Sequence, residues 1–498
     1  MFTASETPLI AAVVLVASGI LGWGFYRARP FGKLGILAWL QSVVLMTPWL
    51  IFFGCFAAGI YINIVGILVL LVISTAIYVY LGRELRASGQ DVILRQKAAE
   101  RMAAQNLADV NDAKSGNLPL VAVQAVSDVI PIPDEDMSAI KGIFGIDTFF
   151  ATETIPYQDG VIFKGNLRGE PEATHNRLTA SLQQKLGEKY RLFLVENTDD
   201  KPVMIVLPSR NDPRPMSLAQ KAFGVVLLLA TVVTSLETAG LLLNFDFLSY
   251  PSRYREALPI ALGIIATLTA HEIGHWVAAR GHQVRLSIPF FLPAVQIGSF
   301  GAITRFESLL PSRKVLFDIA LAGPAAGGIL SLVMLIAGLL LSHPNSAFQL
   351  PSDFFQGSIL VGSLARVVLG SALKSSVVSI HPLVVIGWLG LVITALNLMP
   401  AGQLDGGRIV QAIYGRKIAN RATIATLIVL ALVSLGNPLA MYWAIVILFL
   451  QRDLERPSLN EITEPDDARA ALGLLALFLM IATLIPLTPA VAGRLGIG

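Results

Sequence analysis

The sequence predicts an α-helical polytopic membrane protein with a small α/β soluble domain between two hydrophobic regions. Three observations support this fold class: of the 498 residues, 14% are charged and 54% are hydrophobic, and the mean hydropathy is +0.67. Soluble proteins carry about 25% charged residues, and so much apolar surface needs lipid as its solvent. The composition therefore excludes a soluble globular enzyme and a disordered chain. The single cysteine, Cys55, lies in an apolar run and excludes a disulfide scaffold.

Hydrophobic blocks of membrane-spanning length occur on both sides of a more polar segment. A transmembrane helix needs roughly 20 apolar residues; Leu9–Tyr26 provides one such block, and Leu34–Leu81 is long enough for two. The first block has no basic flank of the kind that signal peptides carry, so it is interpreted as an anchor. The later blocks are Ala222–Phe245, Leu258–Ala279, Phe317–Leu341, Val377–Leu396, Thr423–Leu435, Leu439–Leu450 and Ala471–Ile485. Together the blocks predict about nine or ten spans.

The hydropathy pattern predicts three regions: an N-terminal transmembrane anchor region (1–82), a soluble α/β domain (83–217) and a transmembrane core (218–498). Within the soluble domain, the pattern predicts helices at Asp134–Phe144 and Pro171–Tyr190 and strands at Thr148–Ile155, Gly160–Lys164, Arg191–Glu196 and Val203–Leu207. Most basic residues near the spans fall on one side when the spans are counted forward, which predicts a cytoplasmic or stromal-type soluble domain. The net charge of +3 is too small to indicate a nucleic-acid partner.

The string HEIGH at residues 271–275 lies inside one hydrophobic block. On a helix, His271 and His275 project from one face and can hold one metal ion. Glu272 follows the first histidine, where it can take a proton from a water that the metal activates. Zinc is the expected ion because imidazole and carboxylate ligands suit it and no redox chemistry is needed. An ordinary stretch of helix can carry the same pattern, but at hydrocarbon depth these polar groups are costly without a metal.

A third zinc ligand must come from elsewhere, because HExxH supplies two and a catalytic zinc usually has three protein ligands. The best candidate is Asp405, in the string NLMPAGQLDGG at residues 397–407. Pro400 and Gly402 should interrupt the helix there, which predicts that Asp405 lies on irregular backbone at membrane depth. The alternative is a helix-capping aspartate at the membrane surface that opens a helix at Gly407–Ile413.

HEIGH within one membrane helix, followed by NLMPAGQLDGG at the end of a later one, resembles the site-2 protease family of intramembrane zinc metalloproteases. The resemblance covers about Leu258 to Gln411 and implies that residues 218–498 form a site-2-protease-like transmembrane metalloprotease core. It implies one Zn²⁺ per chain, held by His271, His275 and Asp405, with Glu272 as the general base and Asn397 binding the substrate near the reacting carbonyl.

The same resemblance implies an intramembrane zinc metalloendopeptidase that acts in regulated intramembrane proteolysis. It would hydrolyse peptide bonds within or next to the transmembrane segments of membrane-anchored proteins, so its partners would be transmembrane protein substrates and the lipid bilayer. Two alternatives are a metal transporter and a catalytically inactive membrane scaffold. A transporter usually needs ligands along a path, whereas here they concentrate at one spot. The intact motifs argue against an inactive scaffold.

The string GNLR at residues 165–168 resembles the motif of the plastid and cyanobacterial branch known as ethylene-dependent gravitropism-deficient and yellow-green proteases. A Gly-Asn turn after a strand would explain the string equally well. The branch implies a multi-pass integral membrane protein of a cyanobacterial plasma or thylakoid membrane, or of a chloroplast membrane if the chain is plant-derived. The lack of transit-peptide character at the start of the sequence favours the bacterial source.

The segment from Ser287 to Gly301 is too rich in proline and glycine for a helix and predicts a re-entrant hairpin. An edge of this hairpin could pair with an unwound substrate as an added strand; a plain interhelical loop is the alternative.

Three further features of the hydrophobic regions have predicted roles. Glu237 is an intramembrane carboxylate, for which a hydrogen-bonded structural role is favoured over a functional one. The small residues of Ala322–Gly328 predict close helix packing near the site. His282 is either a spare ligand or, preferably, an interfacial histidine.

Overall fold

The computed structural model describes residues 21–57 except Arg27, scattered residues between 70 and 84, and residues 132–488 except 158 and 198–200, with a few more near the end. The chain divides into two compact units, Met1–Ala125 and Val126–Gly498. In the first unit, helix α1 spans Gly32–Ala57. Most of the predicted span at residues 9–26, much of the predicted pair at 34–81 and residues 85–131 of the predicted soluble domain lie outside the described residues.

The second unit opens with a four-stranded antiparallel sheet in the order β1-β2-β4-β3. Its elements are α2 (Asp134–Lys141), β1 (Phe149–Tyr157), β2 (Gly160–Leu167), α3 (Pro171–Leu186), β3 (Tyr190–Glu196) and β4 (Pro202–Pro208). Alternate residues of the strands face one side, as the period of a half-buried strand requires. Leu192, Leu194, Met204 and Val206 are buried there with Leu178 and Leu182 of α3.

The predicted helices and strands of this sheet domain are present, with ends that shift by one to three residues; the first helix, for example, ends at Lys141 instead of Phe144. Two larger differences occur. The second helix ends at Leu186 instead of continuing to Tyr190, because Gly187 has φ +60° and stops it, and Tyr190 begins β3. The turn offered as an alternative explanation of GNLR is absent: Gly165 and Asn166 lie within β2. A side chain at Gly165 would overlap the carbonyl of Phe150 on β1, so this position requires close backbone approach.

The rest of the second unit is mainly helical and contains two short hairpins. Its elements are α4 (Leu218–Leu242), α5 (Tyr254–Gly281), β5 (Phe290–Ala294), β6 (Gly298–Ile303), α6 (Arg313–Leu341), β7 (Phe348–Pro351), α7 (Ile359–Leu369), β8 (Val377–Ile380), α8 (Pro382–Asn397), α9 (Asp405–Val433), α10 (Pro438–Val446) and α11 (Asp467–Leu484). The predicted hairpin is present, since β5 and β6 pair antiparallel.

Among the described residues, four helices are long and apolar enough to cross a membrane: Leu218–Leu242, Pro251–Gly281, Arg313–Leu341 and Asp467–Leu484. Two shorter apolar helices lie at Pro382–Asn397 and Leu439–Gln451. The predicted nine or ten spans are therefore confirmed only in part.

Two predicted spans were wrong in their extent. The block Val377–Leu396 begins with strand β8, whose β-branched valines pair with β7, and its helix starts only at Pro382. The block Thr423–Leu435 is the second half of α9, which continues from Asp405 through a kink at Gly415, where φ is +78°. Hydropathy alone detects neither a short strand nor a polar first half of a helix.

The helices α5, α6 and α8 pack around a common core. Gly387 of α8 lies so close to α6 that a side chain there would overlap the backbone of Leu335. Ile264 of α5, Ile319 of α6 and Ile393 of α8 are buried in this core. Small residues thus allow the three helix backbones to approach closely, as packing in lipid requires.

Candidate active site

The two histidines of the HEIGH string and Asp405 converge in the buried centre of the helical part. His271 Nε2 lies 3.1 Å from Asp405 Oδ2 and 3.1 Å from His275 Nε2. His275 Nε2 lies 3.4 Å from Asp405 Oδ2. The three residues are 4% to 8% exposed. In the described part of the chain, these two imidazoles and one carboxylate form the group whose donor atoms lie close enough together to hold one metal ion.

The spacing of these three atoms fits tetrahedral zinc. With metal–ligand distances of about 2.0–2.1 Å, tetrahedral ligand atoms lie about 3.3 Å apart. The observed separations of 3.1, 3.1 and 3.4 Å are close to that value. The donor set of two imidazoles and one carboxylate leaves room for a fourth ligand, as in catalytic zinc sites.

A backbone carbonyl of α6 orients one of the imidazoles. His275 Nδ1 donates a hydrogen bond of 2.8 Å to the carbonyl of Ile319, which directs Nε2 towards Asp405. Such a partner fixes the tautomer and the ring orientation of a metal-binding histidine.

The small residues of Ala322–Gly328 pack close to the site, as predicted, and they also make room for both rings. A side chain at Gly323 would overlap the imidazole of His275, and one at Gly327 would crowd the Cβ of His271 at 3.0 Å. Helix α6 therefore packs directly against the HEIGH face of α5 because these positions lack side chains.

Asp405 is the first residue of helix α9, which corrects the prediction of irregular backbone at this position. The predicted interruption is present, since α8 ends at Asn397 and α9 starts eight residues later. The two glycines that follow Asp405 explain the close packing. A side chain at Gly406 would overlap the carbonyl of Leu398, and one at Gly407 would overlap that of Gly402. A helix start and a position beside the histidines are therefore compatible, although the sequence presents them as alternatives.

The carboxylate of Glu272 accepts a hydrogen bond of 2.8 Å from Thr304 Oγ1, directly after strand β6. The backbone carbonyl of Thr304 in turn accepts a hydrogen bond of 2.8 Å from Arg408 Nη2. Arg408 also pairs with Glu455 Oε2 at 2.9 Å and lies 3.9 Å from Asp405 Oδ1. All these side chains except the half-buried Glu272 are buried, so the hairpin end and both acids belong to one network.

Sequence reasoning did not identify Thr304, Arg408 or Glu455. The sequence does contain a signal for the pair of Arg408 and Glu455. Arg408 follows Asp405 by three residues, and an arginine near the membrane depth predicted for Asp405 needs an acidic partner. No sequence signal identifies Thr304, which lies 32 positions from Glu272 and has no motif around it.

Asn397 is buried at the end of α8, where its side chain contacts the hairpin. Its Nδ2 donates hydrogen bonds of 3.2 Å to the carbonyl of Phe300 and 2.9 Å to that of Ile393. Its contact with the backbone of β6 positions it to hold the strand, and any binding of substrate by Asn397 would occur beside that strand.

The hairpin is also fixed from two other helices. Thr234 and Thr238 of α4 donate hydrogen bonds of 2.6 and 2.7 Å to the carbonyls of Gly298 and Val295. The Phe300 ring stacks on Tyr442 of α10 at a centroid distance of 4.7 Å. The hairpin is therefore held as a defined surface next to the HEIGH helix.

Two further predicted residues lie outside the three-residue group. Glu237 accepts a hydrogen bond of 3.0 Å from the backbone N–H of Leu248, which agrees with a structural role. His282 Nε2 lies 3.1 Å from Asp318 Oδ2, and Arg469 also binds this aspartate. With its side chain 36% exposed, His282 is a surface residue and not a spare ligand of this group.

Comparison with known proteins gives matches to both parts of the second unit. The model of peptidase family M50 matches residues 259–436, and a model described as the EGY3 middle domain matches residues 138–213. The chain is 40% identical over 380 residues to the probable zinc metalloprotease EGY2, chloroplastic, of Arabidopsis thaliana, which covers 74% of this chain and 68% of that protein.

Two further relatives come from the same plant. The chain is 38% identical over 402 residues to the probable zinc metalloprotease EGY1, chloroplastic, covering 73% of each chain. It is 32% identical over 375 residues to the probable zinc metallopeptidase EGY3, chloroplastic, covering 70% of this chain and 65% of that one. No solved structure matches the chain.

Proposed function

This chain belongs to peptidase family M50 and is a zinc metalloprotease, and on that premise we propose that it cleaves transmembrane substrates with Glu272 as its general base. The bond cleaved lies within or next to a transmembrane segment of a membrane-anchored protein. The metal ligands in this proposal are His271, His275 and Asp405.

The observation that carries the proposal is the convergence of three buried donor atoms from two distant parts of the chain. His271 and Asp405 are 134 residues apart, yet their donor atoms lie 3.1 Å from each other. Buried polar groups are costly unless they are paired or bind a metal. His271, His275 and Asp405 would hold a zinc ion there, and it would supply the Lewis acidity needed to activate a water molecule and polarise a peptide carbonyl.

Glu272 moves the proton in the proposed reaction. Its carboxylate takes a proton from the attacking water and returns it to the leaving amine. The Thr304 hydroxyl holds one carboxylate oxygen, Oε2, and this hydrogen bond fixes the direction in which the other oxygen points. Thr304 is a positioning residue in this scheme.

The β5–β6 hairpin presents the substrate. An intact helix buries its carbonyls in hydrogen bonds to the residue four positions ahead, so a substrate helix must unwind before attack. An edge of the hairpin can take up the unwound segment as an additional strand. Asn397 supports this role because it donates a hydrogen bond to the carbonyl of Phe300 on β6. We propose that Asn397 also orients the bound segment near the reacting carbonyl.

The regions of the chain and the membrane in which it lies are also part of the proposal. We propose that residues 218–498 form the site-2-protease-like core of a multi-pass protein, that residues 1–82 form a transmembrane anchor region and that residues 83–217 form a soluble domain. The names of the relatives place them in the chloroplast, and for this chain we propose a thylakoid or plasma membrane of a cyanobacterium or a chloroplast membrane.

The proposal is tested with Glu272→Gln. The variant keeps the shape of the side chain but cannot accept the proton, so it should bind zinc as the wild type does and should not cleave. In cells that carry the variant, uncleaved membrane proteins should accumulate, and the same proteins, purified, should be cut by the wild-type chain alone. Cleavage by the variant at the wild-type rate would refute the assignment of Glu272. A transporter would instead show zinc flux in proteoliposomes, and an inactive scaffold would show no difference between the two membrane proteomes.

A further inference from the structure

A second cavity lies away from the candidate active site, between the sheet domain and helix α9. Its volume is about 670 Å³, within the range of small-molecule sites. None of the residues that line it is His271, Glu272, His275 or Asp405.

One wall of this cavity is an apolar sheet face. Phe193 and Val195 of β3 and Ile205 and Leu207 of β4 line the cavity and are half-buried. They alternate with the residues that pack against α3, so they belong to the opposite face of the sheet. Within the described residues, no helix of the sheet domain covers this face in the way that α3 covers the other.

The opposite wall of the cavity is cationic. Arg416, Lys417 and Arg421 at the start of the second half of α9 line it, and Arg456 lies beside them.

In total, six cationic and three anionic side chains line the cavity. Two of the anions are engaged: Asp212 pairs with Arg191 at 2.9 Å, and Glu461 accepts a hydrogen bond of 2.7 Å from Ser458. Two further cations are engaged as well, because Arg313 donates to the carbonyls of Ala412 and Ile413 and Arg416 donates to the carbonyl of Glu455. The side chains of Arg421 and Arg456 are exposed and have no ion pair or hydrogen bond with any described residue.

This wall lies at the start of an apolar stretch of α9. After Arg421 the sequence contains no charged residue until Arg452. Ile424, Ile428 and Leu432 of the following turns are 53%, 56% and 64% exposed, as expected of side chains that face lipid. Arg421 precedes Ile424 by three residues, which is about 4.5 Å along a helix. The cations therefore border the apolar, lipid-facing part of the helix.

We propose that this cavity binds the headgroup and upper acyl chain of an anionic membrane lipid, which bridges the sheet domain and α9. The guanidinium groups of Arg421 and Arg456 complement the negative charge, and the sheet face of Phe193 and Ile205 covers the apolar part. Lysine and arginine clusters at the membrane surface attract anionic lipids in this way. The apolar wall distinguishes a lipid from an acidic peptide or a free anion as the occupant. The proposal does not depend on proteolysis.

The test titrates phosphatidylglycerol into the purified full chain in a neutral detergent, with phosphatidylcholine as the uncharged comparison, and follows bound lipid by native mass spectrometry. Phosphatidylglycerol should bind at least tenfold more tightly than phosphatidylcholine. Arg421→Gln and Arg456→Gln should each weaken its binding about fivefold, while Arg421→Lys should bind nearly as the wild type does. Arg452→Gln is the matched control, because this exposed arginine four residues from Arg456 does not line the cavity.

Each possible outcome decides the proposal. Equal binding of both lipids, or unchanged phosphatidylglycerol binding in both single variants, would overturn it. Glycerol phosphate or an acidic peptide binding as tightly as phosphatidylglycerol would also overturn it, because the apolar wall would then contribute nothing. Arg421 and Arg456 are exposed, so the variants should keep the wild-type melting midpoint without lipid.

Discussion

The hydroxyl of Thr304 donates a hydrogen bond of 2.8 Å to Glu272, so the residue that directly follows the hairpin strand holds the acid of the HEIGH string. The same residue is fixed from the other side, because its carbonyl accepts from Arg408. A strand proposed to contact the substrate and a carboxylate proposed to move the proton are thus joined through one side chain. Displacement of the strand would displace the carboxylate.

Removal of this hydroxyl should slow the chemical step without affecting the metal. In Thr304→Val the side chain keeps its shape and loses the hydrogen bond. The kcat for cleavage should fall roughly 10- to 100-fold, the effect expected for a hydrogen bond to a charged group, while KM and zinc content should stay unchanged. Thr304→Ser keeps the hydroxyl and should restore most of the rate. Equal loss in both variants, or loss of zinc in Thr304→Val, would show a structural role only.

Gly323 should be essential for metal binding, whereas its neighbour Gly328 should not. The side chain of Gly323→Ala would overlap the His275 ring, so zinc affinity should fall by roughly tenfold or more. Gly328→Ala is the matched control on the same helix, because its side chain would make an ordinary contact of 3.4 Å with Thr394. Zinc titration of both purified variants measures the difference. Wild-type zinc affinity in Gly323→Ala would contradict the geometry described for His275.

Proline at two adjacent positions of β6 should separate hairpin stability from substrate pairing. Successive N–H groups of a strand point to opposite edges, so Ala302→Pro and Ile303→Pro each remove an N–H from a different edge. One variant should lower the melting midpoint because it breaks the pairing with β5. The other should keep its midpoint and lose cleavage of a transmembrane substrate. If the stable variant cleaves normally, edge pairing at this position is excluded.

The sheet domain should lose stability in mild acid because of one buried histidine. Burial lowers the pKa of the His175 imidazole below its usual 6.5, although the hydrogen bond of 3.0 Å to the Leu192 carbonyl opposes this. Below pH 6.5 the unfolded chain therefore binds a proton that the folded domain does not, and stability falls as the pH falls. The slope is at most about 1.4 kcal/mol per pH unit for one proton.

Scanning calorimetry of the full chain in detergent at pH 7.5 and 5.5 measures this effect. His175→Gln can still donate to Leu192 but does not titrate, so its domain transition should shift less between the two pH values than that of the wild type. His343→Gln, at an exposed histidine, should shift as the wild type does. The same shift in all three chains would exclude His175 as the cause.

The local part of the site could be predicted from sequence, because the spacing of His271 and His275 needs only one helical turn to become a shared face. Asp405 required a relation over 134 residues. Its motif alone left a helix-capping role open as the alternative, and the resemblance of the motif to a known family favoured the role of ligand. Hydropathy predicted the four long helices correctly, because the length and apolar content of a segment determine whether it can form a helix that spans a membrane. It could not predict that Val377 and Val378 form a strand, since their pairing with β7 is a tertiary contact.

Thr304 shows why the remainder of the site could not be predicted. A threonine at the end of a strand has no characteristic spacing to a glutamate on a helix, and only the packing of the hairpin beside α5 brings them together. The second cavity is a similar case. Its cations are visible in the sequence, but the apolar face opposite them exists only when β3 and β4 pair.

The central claim is that His271, His275 and Asp405 share one zinc ion while Glu272 acts on the water beside it. The zinc content of the purified wild type, Glu272→Gln and Asp405→Ala, measured together with cleavage, tests it most directly. We predict about one zinc per chain in the first two proteins, as one three-ligand site requires, cleavage only in the first, and loss of both metal and cleavage in Asp405→Ala. A full complement of zinc in Asp405→Ala, or none in the wild type, would contradict the account.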